Sequence, residues 1–350
     1  LTLSQDEEMT RPGNDLAVNA ARLQDYLQRH MEGFQGPLRV AQFAGGQSNP
    51  TYRVETPGRQ YVLRRKPPGT LLASAHAVDR EFRVLRALGQ APGFPVPRVH
   101  IYCDDATVLG TPFYVMDLVE GRNFWDASLP EVPREQRRSC YESMVGALAT
   151  LHSLDHEALG LADFGKPGDY FKRQISRWSR QYLQNEQAGR VAAMDRLIDW
   201  LPRHIPGDQQ VSIVHGDYRC DNLIFHPTEP RVVAILDWEL STLGHPLADF
   251  GYHLLVYRMP TLGVTGMLGL DFAALGLPTE QEYVAMYCDR TGRRGIPDLD
   301  FYAAFNLFRL AAIFHGIRGR LLDGTSVNPR AREYAAAVDE VAELGWAQVA

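Results

Sequence analysis

Residues 214–225 read VHGDYRCDNLIF, and residues 232–239 read VVAILDWE. In the first stretch two short apolar runs, Ser212-Ile213-Val214 and Leu223-Ile224-Phe225, flank a polar middle. The second is an apolar run that ends on Asp237 and Glu239. Runs of this length read as short buried strands. Asp217, Asp221 and Asn222 stand in the loop between the first two, and the third strand delivers two more carboxylates. Carboxylates beside buried strands cost solvation unless they are paired or bind something.

Phosphoryl transfer from a nucleoside triphosphate would use this set. The triphosphate needs Mg2+, which takes oxygen ligands and keeps several waters. The acceptor hydroxyl needs a carboxylate that orients it and takes its proton. A loop with Asp at its head and Asn five residues on does both jobs, with Asp217 for the acceptor and Asn222 for the metal. Asp237, arriving on the adjacent strand, completes the metal site. Singly, Asp217 and Asp221 are ordinary turn formers and Asn222 an ordinary strand-edge residue. The ordered set Asp217, Asn222, Asp237 and Asp249 is what carries weight. His215 reads as a packed structural histidine.

Protein kinases write this loop H-R-D-x-x-x-x-N and follow it with D-F-G. Here His215-Gly216-Asp217, four residues and Asn222 keep the spacing, and Asp237-Trp238-Glu239 stands for the second motif. Gly for Arg, and Trp-Glu for Phe-Gly, argue against a protein kinase run by an activation loop. HGDYRCDNLIF followed by ILDWELSTLGHPLADFGY closely resembles the aminoglycoside phosphotransferase family, a small-molecule branch of the kinase-like fold. The resemblance runs from about Leu38 onward and is strongest between Ile213 and Tyr252. It implies an α+β, two-lobed protein-kinase-like fold and an enzyme that uses ATP and Mg2+. It also implies Asp217 as catalytic base, Asn222 and Asp237 as Mg2+ ligands, Glu239 at the metal's edge, and Asp249 as a brace of the catalytic loop.

The rest of the chain fits that division. LRVAQF (38–43), TYRVET (51–56) and YVLRRK (61–66) alternate as strands, with turns at GGQSN (45–49) and PGR (57–59). Residues 74–89 carry Val78, Phe82, Leu85 and Leu88 at helical spacing and stop at Gly89. Further strands are expected at 98–103 and 111–119, and Glu120-Gly121 breaks the pattern. Helices are expected at 134–153, 169–186, 190–204, 279–290, 299–322 and 330–345. The expected division is an N-terminal extension with a helix (1–37), a strand-rich nucleotide-binding lobe (38–119) and a helical lobe with the catalytic loop and acceptor site (120–350). Strands followed by helices is the α+β pattern.

The strand-rich lobe should hold ATP. Glycines in the turn Gly45-Gly46-Gln47-Ser48-Asn49 let backbone N–H groups approach phosphates, although hairpin turns use the same residues; in the family this turn is often G-G-x-S-N. A cation on the third strand must hold the phosphates and pair with a helix carboxylate. The family position falls on Arg64, and alternation sends Arg64 and Lys66 to one face and Arg65 to the other. Glu81 is the expected partner. The resemblance also implies that Asp117 and Val119, in MDLVEG, offer backbone groups to adenine. Gly160 to Lys166 fits the first seven positions of a P-loop, but Pro167 stands where the Mg2+-binding hydroxyl belongs. That segment reads as an ordinary loop.

For the acceptor, residues 301–332 carry Arg309, Arg318, Arg320, Arg330 and Arg332 against one acid, Asp323. An enzyme for polycationic aminoglycosides should line its site with carboxylates instead. An anionic acceptor read by Arg309, His315 and Arg318 is therefore expected, against the alternative of a solvated basic face. PPGTLLASAHAVDREFRVLRAL and HPTEPRVVAILDWELSTLGHPLADF resemble the kinase-like domain associated with certain acyl-CoA dehydrogenases. That resemblance implies a hydroxyacyl-CoA acceptor in 4-hydroxy acid catabolism, with an acyl-CoA dehydrogenase as possible partner.

The bulk properties agree. The chain has 350 residues, 45% of them hydrophobic, and a net charge of −6 without a basic run. That leaves ample core and gives no reason to expect a nucleic-acid partner. The four cysteines lie far apart, as reduced thiols in a cytoplasmic protein would. The opening LTLSQDEEMTRPGND has no signal-peptide core, and FYAAFNLFRLAAIF is too short to span a bilayer. No membrane association is expected. The rivals are an aminoglycoside, choline-like or sugar kinase, a nucleotide-binding pseudokinase acting as an interaction module, and a metal-dependent hydrolase using His215, Asp217, Asp237 and His245.

Overall fold

The computed structural model describes residues 18–43, 49–68, 77–326 and 329–350. Its contacts group the chain into two compact units. Leu1–Phe124, Glu157–Leu161 and Asp221–Ser241 form the first, and Trp125–His156, Ala162–Cys220 and Thr242–Ala350 the second. Each unit is thus made of three separate segments of the chain. The strands beside Asn222 and Asp237 group with the N-terminal sheet.

The first unit opens with helix α1 (Ala20–His30), strands β1 (Arg39–Gln42), β2 (Thr51–Glu55) and β3 (Gln60–Arg65), and helix α2 (Val78–Leu88). Strand β4 (Val99–Cys103), the one-turn helix α3 (Ala106–Leu109) and strand β5 (Phe113–Asp117) follow. The strands make one antiparallel sheet in the order β1-β2-β3-β5-β4. Asn19 starts α1 by accepting a hydrogen bond from the Arg22 amide at 3.0 Å. Leu23 and Leu27, four residues apart, then face the core. They meet Tyr52, Val54, Tyr61, Leu63, Phe113 and Val115, which recur every second residue on one face of the sheet. Burying a Leu or Val fully stabilises by about 1.5–3 kcal/mol.

Central strand β3 is buried on both faces. Its two arginines divide as alternation requires. Arg65 turns to the core face, over the Tyr52 ring at 5.8 Å. Arg64 turns to the opposite face, where Glu81 of α2 meets it.

The second unit begins with α4 (Arg134–Ser153), α5 (Tyr170–Gln184), α6 (Ala192–Trp200) and strand β6 (Ser212–Val214). The chain then passes to the first unit for β7 (Leu223–Phe225), β8 (Val232–Ile235) and a short 3-10 turn, Trp238–Leu240. Strand β9 (Thr242–Gly244) and helices α7 (Pro246–His253), α8 (Leu255–Arg258), α9 (Phe272–Leu275), α10 (Glu280–Thr291), α11 (Leu299–Leu322) and α12 (Ala331–Ala347) complete the second unit. β6 pairs with β9, and β7 with β8, both antiparallel.

Helix α11 is the axis of this unit. Every residue from Phe301 to Ala312 is buried, and a helix apolar on all sides must be surrounded. α5, α7 and α12 pack around it. The helices expected in this unit match to within two residues at each end except 190–204. That one stops at Trp200 and tightens into a 3-10 turn at Leu201–Arg203, because Pro202 has no N–H to continue the ladder. Helix α7 has no Ser, Thr, Asp or Asn at its N-cap. His245 caps it, its Nδ1 accepting from the Leu247 amide at 3.2 Å, with Pro246 in the first turn. The four cysteines are buried and free. Among the described residues no helix is long and apolar enough to cross a membrane.

Candidate active site

In the first unit the site is set by strand register. Leu223 pairs with Ile235, and the Leu236 amide donates to the Asn222 carbonyl at 2.8 Å. Asn222, just before β7, and Asp237, just after β8, therefore lie at the same end of this antiparallel pair. The Asn123 side chain fixes the backbone there, donating to the carbonyls of Asp221 (2.7 Å) and Leu223 (3.0 Å).

Asp237 holds a left-handed backbone, φ 64° and ψ 59°. Only glycine adopts this freely, with Asn and Asp next, and such strain gathers at functional positions. Its Oδ1 accepts from Arg64 Nη2 at 2.8 Å, while Arg64 Nη1 meets Glu81 Oε1 at 2.9 Å. Glu239 Oε2 stands 3.6 Å from the same guanidinium. Arg64 thus joins the helix carboxylate to the two carboxylates that follow β8. Burial raises the Glu81 pKa, the Asp237 and Glu239 charges add to that, and Arg64 opposes it. Burial disfavours charge on Arg64, but Glu81 and Asp237 outweigh it and hold the guanidinium protonated.

Asp237 remains about a third exposed. With Glu239 and the Asn222 amide it offers hard oxygen donors and no sulfur or imidazole. That set fits Mg2+, which takes few protein ligands and completes its shell with water and phosphate. Among the described residues no group of three or more His, Cys, Asp or Glu is arranged to hold a metal ion.

An apolar pocket in the same unit is lined by Phe43, Val62, Met116, Leu118, Ile224 and Leu236, with Asp117 and Val119 beside them. A flat aromatic base suits such walls. The Asp117 side chain is itself engaged, by His100 Nε2 at 2.7 Å and Arg59 Nη2 at 3.0 Å, and its amide donates to the Arg98 carbonyl. Asn49 is buried, and its carbonyl accepts from the Thr51 hydroxyl at 3.0 Å. Gly45, Gly46, Gln47 and Ser48 lie outside the described residues.

In the second unit the loop after β6 is tied from three sides. Asp249, in the first turn of α7, accepts from the amides of His215 (2.6 Å) and Gly216 (2.8 Å). Gly216 has φ 85°, a conformation that favours glycine over the Arg of protein kinases. Burial alone would raise the Asp249 pKa. Hydrogen bonding and charge from His152, the nearby His215 and the Gly216 amide outweigh it and hold the group below its ordinary range. His152 lies 3.3 Å from Asp249 Oδ2 and meets the Tyr287 hydroxyl at 2.7 Å.

Asp217, next in the loop, is held at Oδ1 by the Tyr252 hydroxyl at 2.7 Å, with Arg219 Nε at 3.3 Å. Burial, then the Asp217 charge, raises the Tyr252 pKa, so the phenol stays protonated as a donor. His215 is fully buried, and its Nδ1 accepts from the Asp217 amide at 3.2 Å. It is positioned to shape the loop rather than to meet a ligand.

The expected acceptor residues have other partners. Arg309 is buried, donates to the Gly216 carbonyl at 2.6 Å and lies over the Tyr252 ring at 5.1 Å. It supports the loop from behind. His315 is fully buried, with its ring against Tyr182 and Nε2 on the Gly189 carbonyl. Arg318 is spent on the Ala335 carbonyl and Asp339 of α12. Counting charges along residues 301–332 missed these partners because each is distant in sequence. His245 belongs to the α7 cap, and the segment Gly160–Lys166 is loop, with α5 starting at Tyr170. Sequence reading did not find Asn123, His152 and Tyr252, whose contacts span 35 to 135 residues.

The model of the phosphotransferase enzyme family matches residues 39–305. The chain belongs to that family and has its kinase-like fold. Mouse acyl-CoA dehydrogenase family member 10 is 45% identical over 330 residues, covering 92% of this chain and 31% of the relative. Chicken acyl-CoA dehydrogenase family member 11 is 45% identical over 333 residues, covering 92% and 42%. The chain thus spans roughly a third to two fifths of the length of these curated relatives, and they belong to the acyl-CoA dehydrogenase-associated branch that the sequence resembles. A Ralstonia eutropha protein solved as a candidate aminoglycoside phosphotransferase is 47% identical, with a TM-score of 0.88 over 95% of this chain and 98% of that one. Aminoglycoside phosphotransferase APH(4)-Ia, solved with AMP-PNP and hygromycin B, has a TM-score of 0.60 over 95% and 99% at 16% identity, and shares the fold.

Proposed function

We propose that this chain transfers the γ-phosphoryl group of ATP to a hydroxyl of a small anionic metabolite, with a hydroxyacyl-CoA as the acceptor. The bridge of Arg64 between Glu81 and Asp237 carries the reading. A strand cation paired to a helix carboxylate is what a kinase-like fold uses to hold ATP phosphates. The apolar pocket beside Asp117 and Val119 would take the adenine.

In this reading Asp217 accepts the acceptor's hydroxyl proton as its oxygen bonds to the γ-phosphorus and ADP leaves. Tyr252, holding Oδ1, fixes the plane of the carboxylate. Asn222 and Asp237 would hold Mg2+, with Glu239 beside them. The ion would neutralise charge on the phosphate oxygens. The acceptor class rests on the relatives, which bear acyl-CoA dehydrogenase names and extend well beyond the matched region. A phosphorylated hydroxyl is a better leaving group than a free one, which suits a step ahead of β-oxidation.

An ATP-consumption screen over hydroxyacyl-CoAs, aminoglycosides and amino alcohols tests this. Turnover is expected with a hydroxyacyl-CoA. Turnover confined to kanamycin-like polycations would overturn the acceptor class, and no ATP-dependent transfer to any hydroxyl would overturn the activity.

A further inference from the structure

Helices α5 and α11 run side by side in the same direction. Phe171 packs on Phe301 and Phe305, Gln181 lies against Gly316, and the Asn185 side chain donates to the His315 carbonyl at 3.0 Å. Near their C-terminal ends they enclose an open cavity of about 480 Å³. Its walls carry Arg177, Arg180 and Arg320, together with Gln181 and Gln184. Gly316 forms its floor, where an added Cβ would stand 3.1 Å from Gln181 Nε2.

These three arginines are exposed, and among the described residues no carboxylate or carbonyl engages their guanidinium groups. That sets them apart from Arg309 and Arg318 of α11, which are both engaged. The single carboxylate of the cavity, Asp323, is held by Gln187 Nε2 at 3.0 Å. Arg177 lies over the Trp178 ring at 5.3 Å, which leaves its N–H donors unspent. Three guanidiniums whose N–H donors meet no carboxylate or carbonyl, lining one cavity with side-chain amides, form a site for an anion with several oxygens.

The cavity is also aligned with the catalytic loop. Gly316 and Arg320 follow Arg309 by seven and eleven residues, spacings that keep all three on one face of α11. Arg309 touches Gly216, the residue before Asp217. Arg320 lies about 16 Å farther along the helix axis, at 1.5 Å per residue.

We infer that this groove binds the phosphates of the acceptor. It takes the nucleotide end of a coenzyme A thioester while the acyl hydroxyl reaches Asp217. The acceptor assignment rests on the function proposed above; the groove's affinity for phosphates does not. The pantetheine arm is the spacer that such a separation calls for.

The test uses the whole 350-residue chain and the triple variant Arg177→Ala, Arg180→Ala, Arg320→Ala. All three positions are exposed, so the fold should stand. Calorimetry with coenzyme A alone should show affinity falling at least about tenfold in the variant, with MgATP affinity unchanged. In kinetics the KM for a hydroxyacyl-CoA should rise by a similar factor, while that for the matching hydroxyacyl-pantetheine, which lacks the phosphates, should stay put. Wild-type protein that does not bind coenzyme A, or a variant that binds it equally well, overturns the groove. If coenzyme A binds through these arginines yet no hydroxyacyl thioester is phosphorylated, the groove stands and the proposed acceptor falls.

Discussion

Tyr252 donates its phenolic hydrogen to Oδ1 of Asp217 across 2.7 Å, tying the head of the loop to helix α7. A carboxylate that must meet a hydroxyl in line gains from having one oxygen fixed. Tyr252→Phe keeps the ring and its contact with Arg309 but loses this hydrogen bond. Turnover is expected to fall about tenfold, as loss of roughly 1–1.5 kcal/mol of alignment implies, with the KM for ATP little changed. Asp217→Asn should fall further, by about 10²–10⁴. Near-normal turnover in Asp217→Asn would remove it as the base.

Asp237 is tested best by Asn. Asparagine tolerates the left-handed backbone at φ 64°, so Asp237→Asn isolates the charge from the strain. MgATP affinity should drop sharply by calorimetry, because a hard ligand becomes a weaker one at a site with few. Unchanged affinity together with surviving transfer would show that Asp237 is not a metal ligand.

The Arg64–Glu81 pair separates stability from function. Glu81 is fully buried, so Arg64→Ala leaves it without its cation and should cost about 3–5 kcal/mol in urea unfolding. The double variant Arg64→Met, Glu81→Leu should recover most of that loss and still fail to turn over ATP. Recovery of both would mean that the pair serves packing alone.

Acid should unfold the second unit through buried histidines. Burial pushes His253 down to about 4 from 6.5, and it sits between the Tyr218 carbonyl and the Tyr283 hydroxyl. Its neutral form is the one that folds. The stabilisation is complete above pH 6.5, where the unfolded chain is also neutral, and is lost as pH falls from 6.5 towards 4. One such group accounts for on the order of 3 kcal/mol across that window. Urea midpoints should drop through this range, and His253→Gln, which has no charge to gain, should flatten the drop. A profile equally steep in the variant would assign the effect elsewhere.

The parts of the site that were legible in sequence are those set by short-range geometry. The five-residue step from Asp217 to Asn222 fits one loop, and period-two alternation separates Arg64 from Arg65 across β3. Hydrophobic periodicity placed the long helices because packing around α11 needs the same apolar positions. Apart from the Arg64–Glu81 pair and the Asp249 brace, which the family resemblance implied, sequence did not supply partnership across distance. Tyr252 reads as one more apolar position of a helix until α7 is laid beside the loop. Arg318 reads as a free charge until Asp339, on the next helix, takes it up. His245 as a cap also escaped notice, since an imidazole is an unusual helix start.

Arg309 decides between the two readings of the arginine-rich helix. Charge counting expected it to hold an anionic acceptor, and then Arg309→Ala would raise the acceptor KM and leave the maximal rate alone. In the structure its guanidinium is buried, donates to the Gly216 carbonyl at 2.6 Å and covers the Tyr252 ring. Removing it leaves a buried carbonyl unsatisfied and frees the ring that holds Asp217, at a cost of roughly 1.5–3 kcal/mol. The expected outcome is therefore a kcat lowered about tenfold or more, with acceptor and ATP KM values within about twofold of wild type. Arg309→Lys should recover only part of the rate, because a point charge cannot both donate to the carbonyl and lie flat over the ring. A large rise in acceptor KM at constant kcat would return Arg309 to the acceptor and leave Tyr252 and Arg219 to hold Asp217.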